Sequence, residues 1–344
     1  MKAFRFNQWK QPGKLEDVPV PEPGPGEALI RIGGAGACHS DLHLMQEWTP
    51  DLLPQIAGWS LPFTLGHENA GWIEGGDTAG MDTGDPVVIS PTWGCGKCRS
   101  CRAGVTNYCE NPNPRGTGGL GRNGGMAEYM LAPASAMVPL NSLEPAEAAP
   151  LTDAGLTSYH AVKRCLPLLT PDTTAVVIGV GGLGQMAIQF LRELCAAQII
   201  AMARSEASLK IAHDFGAHLT VKSDEKAADE VKKATNGLGA MVIIDLVGND
   251  ATLAMAAKMA RKQGQIVVVG LGGGTFPFRY GALPFGCTMV STLGGSTSEL
   301  GEVIALAEAG RITPQIEKFR LEQVVEVYQK LEKGQIAGRA VLVP

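Results

Sequence analysis

At 344 residues, 45% hydrophobic and 18% charged, the chain exceeds the size at which one hydrophobic core stops growing, and two domains are expected. A formal charge of -5 and an isoelectric point near 5.7, with no basic run, exclude a general binder of nucleic acid or anionic membrane. Gly is the outlier: its 44 copies exceed the usual share of roughly 7%, which points to many tight turns and close backbone approaches.

The opening stretch MKAFRFNQW lacks the apolar core of a signal peptide, and no segment nears the ~20 apolar residues that span a bilayer. The eight cysteines sit at metal-like spacings rather than as a disulfide framework, so a cytoplasmic protein is expected. PVPEPGPGE (19–27) is a turn-rich connection, too stiff for a flexible linker. ALIRI (28–32), PVVIS (86–90) and MAEYML (126–131) read as short strands between turns, giving an irregular β half. After about residue 152 the texture changes. AVVIGV (175–180), QIIAMA (198–203), HLTV (218–221), MVIIDLV (241–247) and QIVVVG (265–270) read as apolar strands, with helix-length segments between them. Apolar strands alternating with helices predict a parallel sheet covered on both faces. A break at Gly294-Gly295, a helix near 298–309 and a closing strand AVLVP (340–344) complete the chain.

Three groups of residues carry chemistry. Cys95, Cys98, Cys101 and Cys109 form C-x2-C-x2-C-x7-C in a polar loop. Four thiolates fill a tetrahedral Zn²⁺ shell and leave no open position, so this site folds a loop and does no chemistry. A pair of disulfides, or unrelated buried thiols, is the alternative. Next, Gly179-Val180-Gly181-Gly182-Leu183-Gly184 gives G-x-G-x-x-G directly between a strand and a helix, the context of a dinucleotide pyrophosphate cradle. At the end of the second strand, where a carboxylate would bind the ribose of NAD, the chain has Arg204 and Ser205. An arginine fork and a hydroxyl suit a 2′-phosphate, so NADP is expected in preference to NAD. Alternatively Ser205 caps the following helix, or Glu206 reaches the ribose. Lastly, Cys38-His39-Ser40-Asp41-Leu42-His43 and Gly66-His67-Glu68 bring a thiol, imidazoles, a hydroxyl and carboxylates, the materials of a catalytic zinc site with three protein ligands and an open position. Each cluster alone reads equally as core or surface residues.

Taken together, Gly66-His67-Glu68-x-x-Gly71, the four-cysteine lobe, Gly179-x-Gly181-x-x-Gly184 and Pro150-Leu151-Thr152-Asp153-Ala154-Gly155-Leu156-Thr157 resemble the zinc-containing medium-chain alcohol dehydrogenases, over essentially the whole chain. The bacterial secondary-alcohol dehydrogenases look most similar. The resemblance implies an α/β protein: a GroES-like irregular β catalytic domain (1–151 and 293–344, with a zinc lobe at about 91–113) and a Rossmann doubly wound parallel sheet (152–292). It implies Cys38, His67 and Asp153 as ligands of a catalytic zinc, Asp153 standing where many members have Cys, and Glu68 behind the metal. For Asp153 a helix N-cap is the alternative. The resemblance further implies Ser40 and His43 as a proton relay, and His39 and Arg339 as contacts to cofactor phosphate, against the alternative of solvated charges. Gly270 and Leu271 are further candidate cofactor contacts. Trp48, Trp93 and Leu293 are candidate pocket residues, while Phe285 reads as packing; an apolar pocket favours secondary alcohols and ketones.

The expected function is therefore hydride transfer between NADP(H), or NAD(H), and a small alcohol or carbonyl compound, with two zinc ions per chain, no nucleic-acid or membrane partner, and a homodimer or homotetramer. A zinc-free quinone or enone reductase of the same fold, and a non-enzymatic dinucleotide-binding protein, are the alternatives. The Cys38, His67, Asp153 triad and the relay beside it speak against both.

Overall fold

A computed structural model describes residues 1–111 and 116–344, so positions 112 and 113 of the expected zinc lobe lie outside the described residues. The chain divides into two compact units, one of Met1–Leu156, Gly294–Gly310 and Pro314–Pro344, the other of Thr157–Leu293 with Arg311–Thr313. The small excursion belongs to the second unit because Arg311 pairs with Glu193 at 2.6 Å and the Thr313 amide donates to Gln189 Oε1 at 2.9 Å.

One long strand organises the first unit. Glu27–Gly36 pairs antiparallel with Glu68–Gly76 along its length. Its other edge takes Tyr129–Pro133 first and then, at the far end, Arg339–Val343. Pro86–Ile89 and Met137–Pro139 extend one side, and Ile316–Arg320 lies parallel to Arg339–Val343 on the other. A three-stranded antiparallel sheet of Lys14–Asp17, Lys2–Phe6 and Phe63–Thr64 accompanies it. The core buries Phe4, Phe6, Ile30, Phe63, Leu65, Ile73 and Met130, with Val327 and Tyr328 of the helix Val324–Glu332. Each such apolar side chain contributes roughly 1.5–3 kcal/mol on burial. Glu68–Gly76 escapes a pattern search because it opens with the buried polar residues Glu68 and Asn69 and carries three glycines, so no apolar alternation shows. The strand expected at 126–131 starts later, at Tyr129: the Met126 amide donates to Leu65 and its carbonyl accepts from Phe4, tying that residue to other neighbours.

The second unit is a six-stranded, wholly parallel sheet. Its order is Leu219–Lys222, Gln198–Ala203, Thr174–Ile178, Ala240–Asp245, Ala260–Val268, Thr288–Ser291. This is the 3-2-1-4-5-6 order of a dinucleotide-binding sheet, with its switch point beside Thr174–Ile178. Thr174–Ile178 is buried at every position, as a strand covered on both faces requires. The helix Gly182–Leu194 follows it, and the sixth strand, Thr288–Ser291, is too polar and short to stand out in the sequence.

Candidate metal centres and dinucleotide cradle

The ends of three adjacent strands of the first unit assemble a buried polar group. Gly36, the last residue of Glu27–Gly36, is in register with Glu68 on one side and Val341 on the other. Cys38 therefore leaves one strand just where His67 and Glu68 enter the next and Arg339 begins the third. No side chain fits at position 36, since a Cβ there would overlap the Glu68 carboxylate. Asp153 arrives from the short 3-10 turn Ala149–Thr152. One ligand atom from each of Cys38, His67 and Asp153 lies within 4.8 Å of the others. Cys38 Sγ is 3.5 Å from Asp153 Oδ2 and 3.6 Å from Ser40 Oγ, and His67 Nε2 is 3.7 Å from Asp153 Oδ2.

Electrostatics decide what this group can hold. Cys38, His67, Glu68 and Asp41 are all buried. The Arg339 guanidinium, itself 5% exposed, donates to Glu68 Oε1 and faces Asp153 Oδ2 at 3.3 Å. Burial opposes ionisation of the Cys38 thiol, but Arg339 and His67 outweigh it and hold the thiol below its ordinary range. Burial likewise disfavours the Asp153 carboxylate, and His67 and Arg339 again win, holding it low. Burial pushes Glu68 up, against Arg339. His67 also lies well above its ordinary value: burial would lower it, yet Asp41, Asp153 and Cys38 prevail. An acid-rich buried group thus draws protons inward, and a divalent cation answers the same demand with more charge. Thiolate, imidazole and carboxylate are zinc donors, and the set of three fits an ion that keeps one position for substrate.

Asp41 is the residue the sequence reading passed over. It is fully buried in the helix His39–Gln46, which begins at Cys38. Its Oδ2 accepts from the Cys38 amide at 3.1 Å, a reciprocal cap, while Oδ1 lies 3.3 Å from His67 Nδ1. That last pair is at ion-pair distance without the alignment of a full hydrogen bond. The contact leaves Nε2 as the ring atom toward Asp153, the tautomer that metal ligation needs. A carboxylate three residues after a cap was the available signal.

The flank of the group is half open. Ser40 is partly buried and His39 exposed. His43 Nδ1 lies 2.8 Å from Glu47 Oε2, and its ring stacks on Trp48 at 5.0 Å and 15°. Trp93, half-buried, donates from Nε1 to the Ser90 carbonyl at 2.9 Å.

Cys95, Cys98, Cys101 and Cys109 also converge, their sulfurs within 4.8 Å of one another, and none of the eight cysteines is in a disulfide. A tetrahedron with Zn–S bonds of ~2.3 Å has sulfur–sulfur edges of about 3.8 Å, so the span fits. The amides of Cys95, Cys98 and Cys101 donate to the sulfurs of Cys109, Cys95 and Cys98 at 3.3, 3.4 and 3.4 Å. Backbone donors from Lys97 and Cys98 lower Cys95 to about 6, whereas desolvation and the neighbouring thiols push Cys101 up to about 12. Desolvation is the chief reason that Cys101 keeps its proton, and a metal would replace it.

In the second unit Gly179 adopts φ +93, Gly181 precedes the helix Gly182–Leu194, and a Cβ on Gly184 would run into the Gly179 carbonyl. A Cβ on Gly181 would meet nothing within 4 Å, which leaves the open face a pyrophosphate needs at the helix N-terminus. Arg204 follows Gln198–Ala203, exposed and without a side-chain partner among the described residues. Ser205 caps the next helix, its Oγ accepting from the Ser208 amide at 3.2 Å, so the capping alternative is realised. Gly270 donates its amide to the Asp245 carbonyl at 3.0 Å, and Leu271 and Leu293 are exposed.

Comparison with known proteins agrees with this geometry. Residues 24–142 match the alcohol dehydrogenase GroES-like domain and residues 182–309 match the zinc-binding dehydrogenase domain. The chain is 39% identical to a D-arabinose 1-dehydrogenase (NADP(+)) of Saccharolobus solfataricus, over 100% of this chain and 97% of that protein. It is 38% identical to an NAD-dependent alcohol dehydrogenase of Sulfurisphaera tokodaii, over 100% of both. The crystal structure of an alcohol dehydrogenase from Aeropyrum pernix superposes with a TM-score of 0.92 at 35% identity, covering 100% of each chain.

Proposed function

This chain belongs to the zinc-containing medium-chain alcohol dehydrogenase family, and from that premise we propose that Cys38, His67 and Asp153 hold its catalytic zinc while Ser40 and His43 carry the substrate proton to solvent. The protein is an oxidoreductase acting on small alcohols with a nicotinamide dinucleotide. The convergence of those three donors in an acid-rich buried group carries the reading. When bound, zinc supplies Lewis acidity toward an alcohol or carbonyl oxygen, and the nicotinamide supplies or accepts the hydride.

The chain's own residues do the rest. Cys38 and Asp153 offset the charge of the ion, and Asp41 keeps the His67 ring turned with Nε2 inward. Ser40, beside Cys38, accepts one proton as it gives up another, and His43 passes it to water, its ring steadied by Glu47 and Trp48. Glu68 would tune such an ion from behind or as an exchanging ligand, and Arg339 donates to its carboxylate. Within the second unit Gly179, Gly181, Gly182, Leu183 and Gly184 cradle the pyrophosphate, with Gly270 and Leu271 as further cofactor contacts. Cys95, Cys98, Cys101 and Cys109 hold the second zinc. Arg204 favours NADP, an assignment supported by its exposed place at the end of Gln198–Ala203; the two relatives named above differ in cofactor.

Trp48 and Trp93 of the first unit would give the substrate an apolar wall, which favours secondary alcohols and ketones. The named activity of one relative on D-arabinose favours an aldose as the second reading. The open sheet edge at Thr288–Ser291 and exposed Phe278, Tyr280 and Phe285 support a homo-oligomer. Among the described residues no helix is long and apolar enough to cross a membrane, and the eight free cysteines support a cytoplasmic setting. Metal analysis, then a panel of 2-alkanols, aryl ketones, polyols and D-arabinose with NADPH and NADH in parallel, tests the reading. Two zincs per chain and turnover lost on chelation are expected. Full turnover after chelation overturns the mechanism, and turnover confined to polyols or aldoses overturns the apolar wall.

A further inference from the structure

We infer that Tyr328, remote in sequence from every ligand, is a positioning residue for the catalytic metal group, acting through Asp41 on His67; the inference rests on the metal reading above. Tyr328 lies on the helix Val324–Glu332, 5% exposed, its ring stacked on Phe4 at 5.8 Å. Packing alone asks only for a ring there. The hydroxyl is the unexplained part, because a buried polar atom costs free energy unless it is paired. It sits 2.9 Å from Asp41 Oδ2 and 3.0 Å from Met126 Sδ. A phenol has one proton to give, and an ionised carboxylate is a far better acceptor than a thioether, so the proton goes to Asp41.

The consequence follows atom by atom. Asp41 Oδ2 then accepts two donors, the Tyr328 hydroxyl and the Cys38 amide at 3.1 Å, which fixes the plane of the carboxylate. With that plane fixed, Oδ1 is aimed at His67 Nδ1, 3.3 Å away, and has no other partner. One carboxylate thereby ties the backbone of one metal ligand to the ring of another, and Tyr328 locks it from the opposite wall. Without the hydroxyl, Oδ2 keeps a single amide donor, and both the turn of Asp41 and the tilt of His67 are freed. Outer partners of metal ligands typically change metal affinity by about 10–100-fold. Tyr328 acts one bond further out, so the low end is expected.

The test is zinc competition with a chromophoric chelator on the holoenzyme and on Tyr328→Phe, with the four-cysteine zinc of the same molecule as internal control. The expected result is about a tenfold weaker hold on one zinc, no change in the other, and shifted visible bands when cobalt occupies the weakened site. Asp41→Asn is expected to weaken the same site, and the double variant to lose less than the product of the two single losses. Unchanged affinity and cobalt bands in Tyr328→Phe overturn the inference. Equal weakening of both zincs also overturns it, since that reports general destabilisation. A wild-type protein holding only the four-cysteine zinc instead overturns the metal reading, and the inference falls with it.

Discussion

Replacing Arg204 with Asp tests whether the second strand of the dinucleotide sheet selects NADP. Arg204 directly follows Gln198–Ala203, exposed and with no competing partner among the described residues, so the guanidinium fork is available to a 2′-phosphate. A hydrogen bond to a charged group contributes about 1.5–3 kcal/mol, and exposure puts this site at the lower end. At 1.36 kcal/mol per decade, losing it lowers kcat/KM for NADPH by roughly tenfold. The new carboxylate repels the phosphate and accepts a ribose hydroxyl, so the swing in the NADPH to NADH ratio should reach about 10²-fold. Ser205 is left alone because its hydroxyl caps the following helix, and removing it would confuse cofactor choice with stability. Initial rates with both cofactors at two ionic strengths give the answer. Screening should raise the wild-type KM for NADPH more than that for NADH. An unchanged ratio in Arg204→Asp, or equal salt sensitivity of both cofactors, refutes the reasoning.

Other perturbations address the remaining sites. Cys101→Ser should reduce the zinc content from two to one per chain and open the segment 95–109 to proteolysis, as read by metal analysis and limited digestion. Gly36→Ala drives a Cβ into the Glu68 carboxylate, so overpacking of about 1–3 kcal/mol should appear as a lower Tm, together with weaker retention of one zinc. Cys165 is fully buried, donates to Gln265 Oε1 at 3.1 Å, and is pushed up to about 12 by desolvation. Since the thiolate is scarce below that value, a disulfide reagent at pH 8 should leave it unmodified in native protein and modify it after denaturation, as mass spectrometry would show.

Legibility in the sequence followed the range of the interactions. The fully apolar strands Thr174–Ile178 and Gln198–Ala203 were plain, because burial on both faces writes a continuous apolar run. Glu68–Gly76 was not, since it opens with the buried polar residues Glu68 and Asn69. The expected boundary near residue 152 and the division at Leu156 and Thr157 differ by a few residues, both within or beside one continuous helix, Ala154–Lys163. Motif spacing located the cysteine lobe, and the family resemblance singled out Cys38 and His67. Tyr328 and the Arg339 pair with Glu68 escaped notice because each partnership joins residues 271 or more positions apart, while the local cap signal of Asp41 records nothing of its contact with His67.

The same contrast of range separates the two metal groups physically. Every sulfur and every amide donor of the cysteine lobe lies between residues 95 and 109, so a metal can organise that loop at the small entropic cost of closing a short chain. The other group gathers Cys38, His67 and Asp153 beside Arg339 from a strand and Tyr328 from the helix Val324–Glu332, which only the completed first unit delivers. Its donors are therefore positioned by the fold of that unit. A site whose geometry is set by a rigid fold can leave one coordination position to a substrate without collapsing around the metal, and that freedom is what distinguishes a catalytic centre from a fastening.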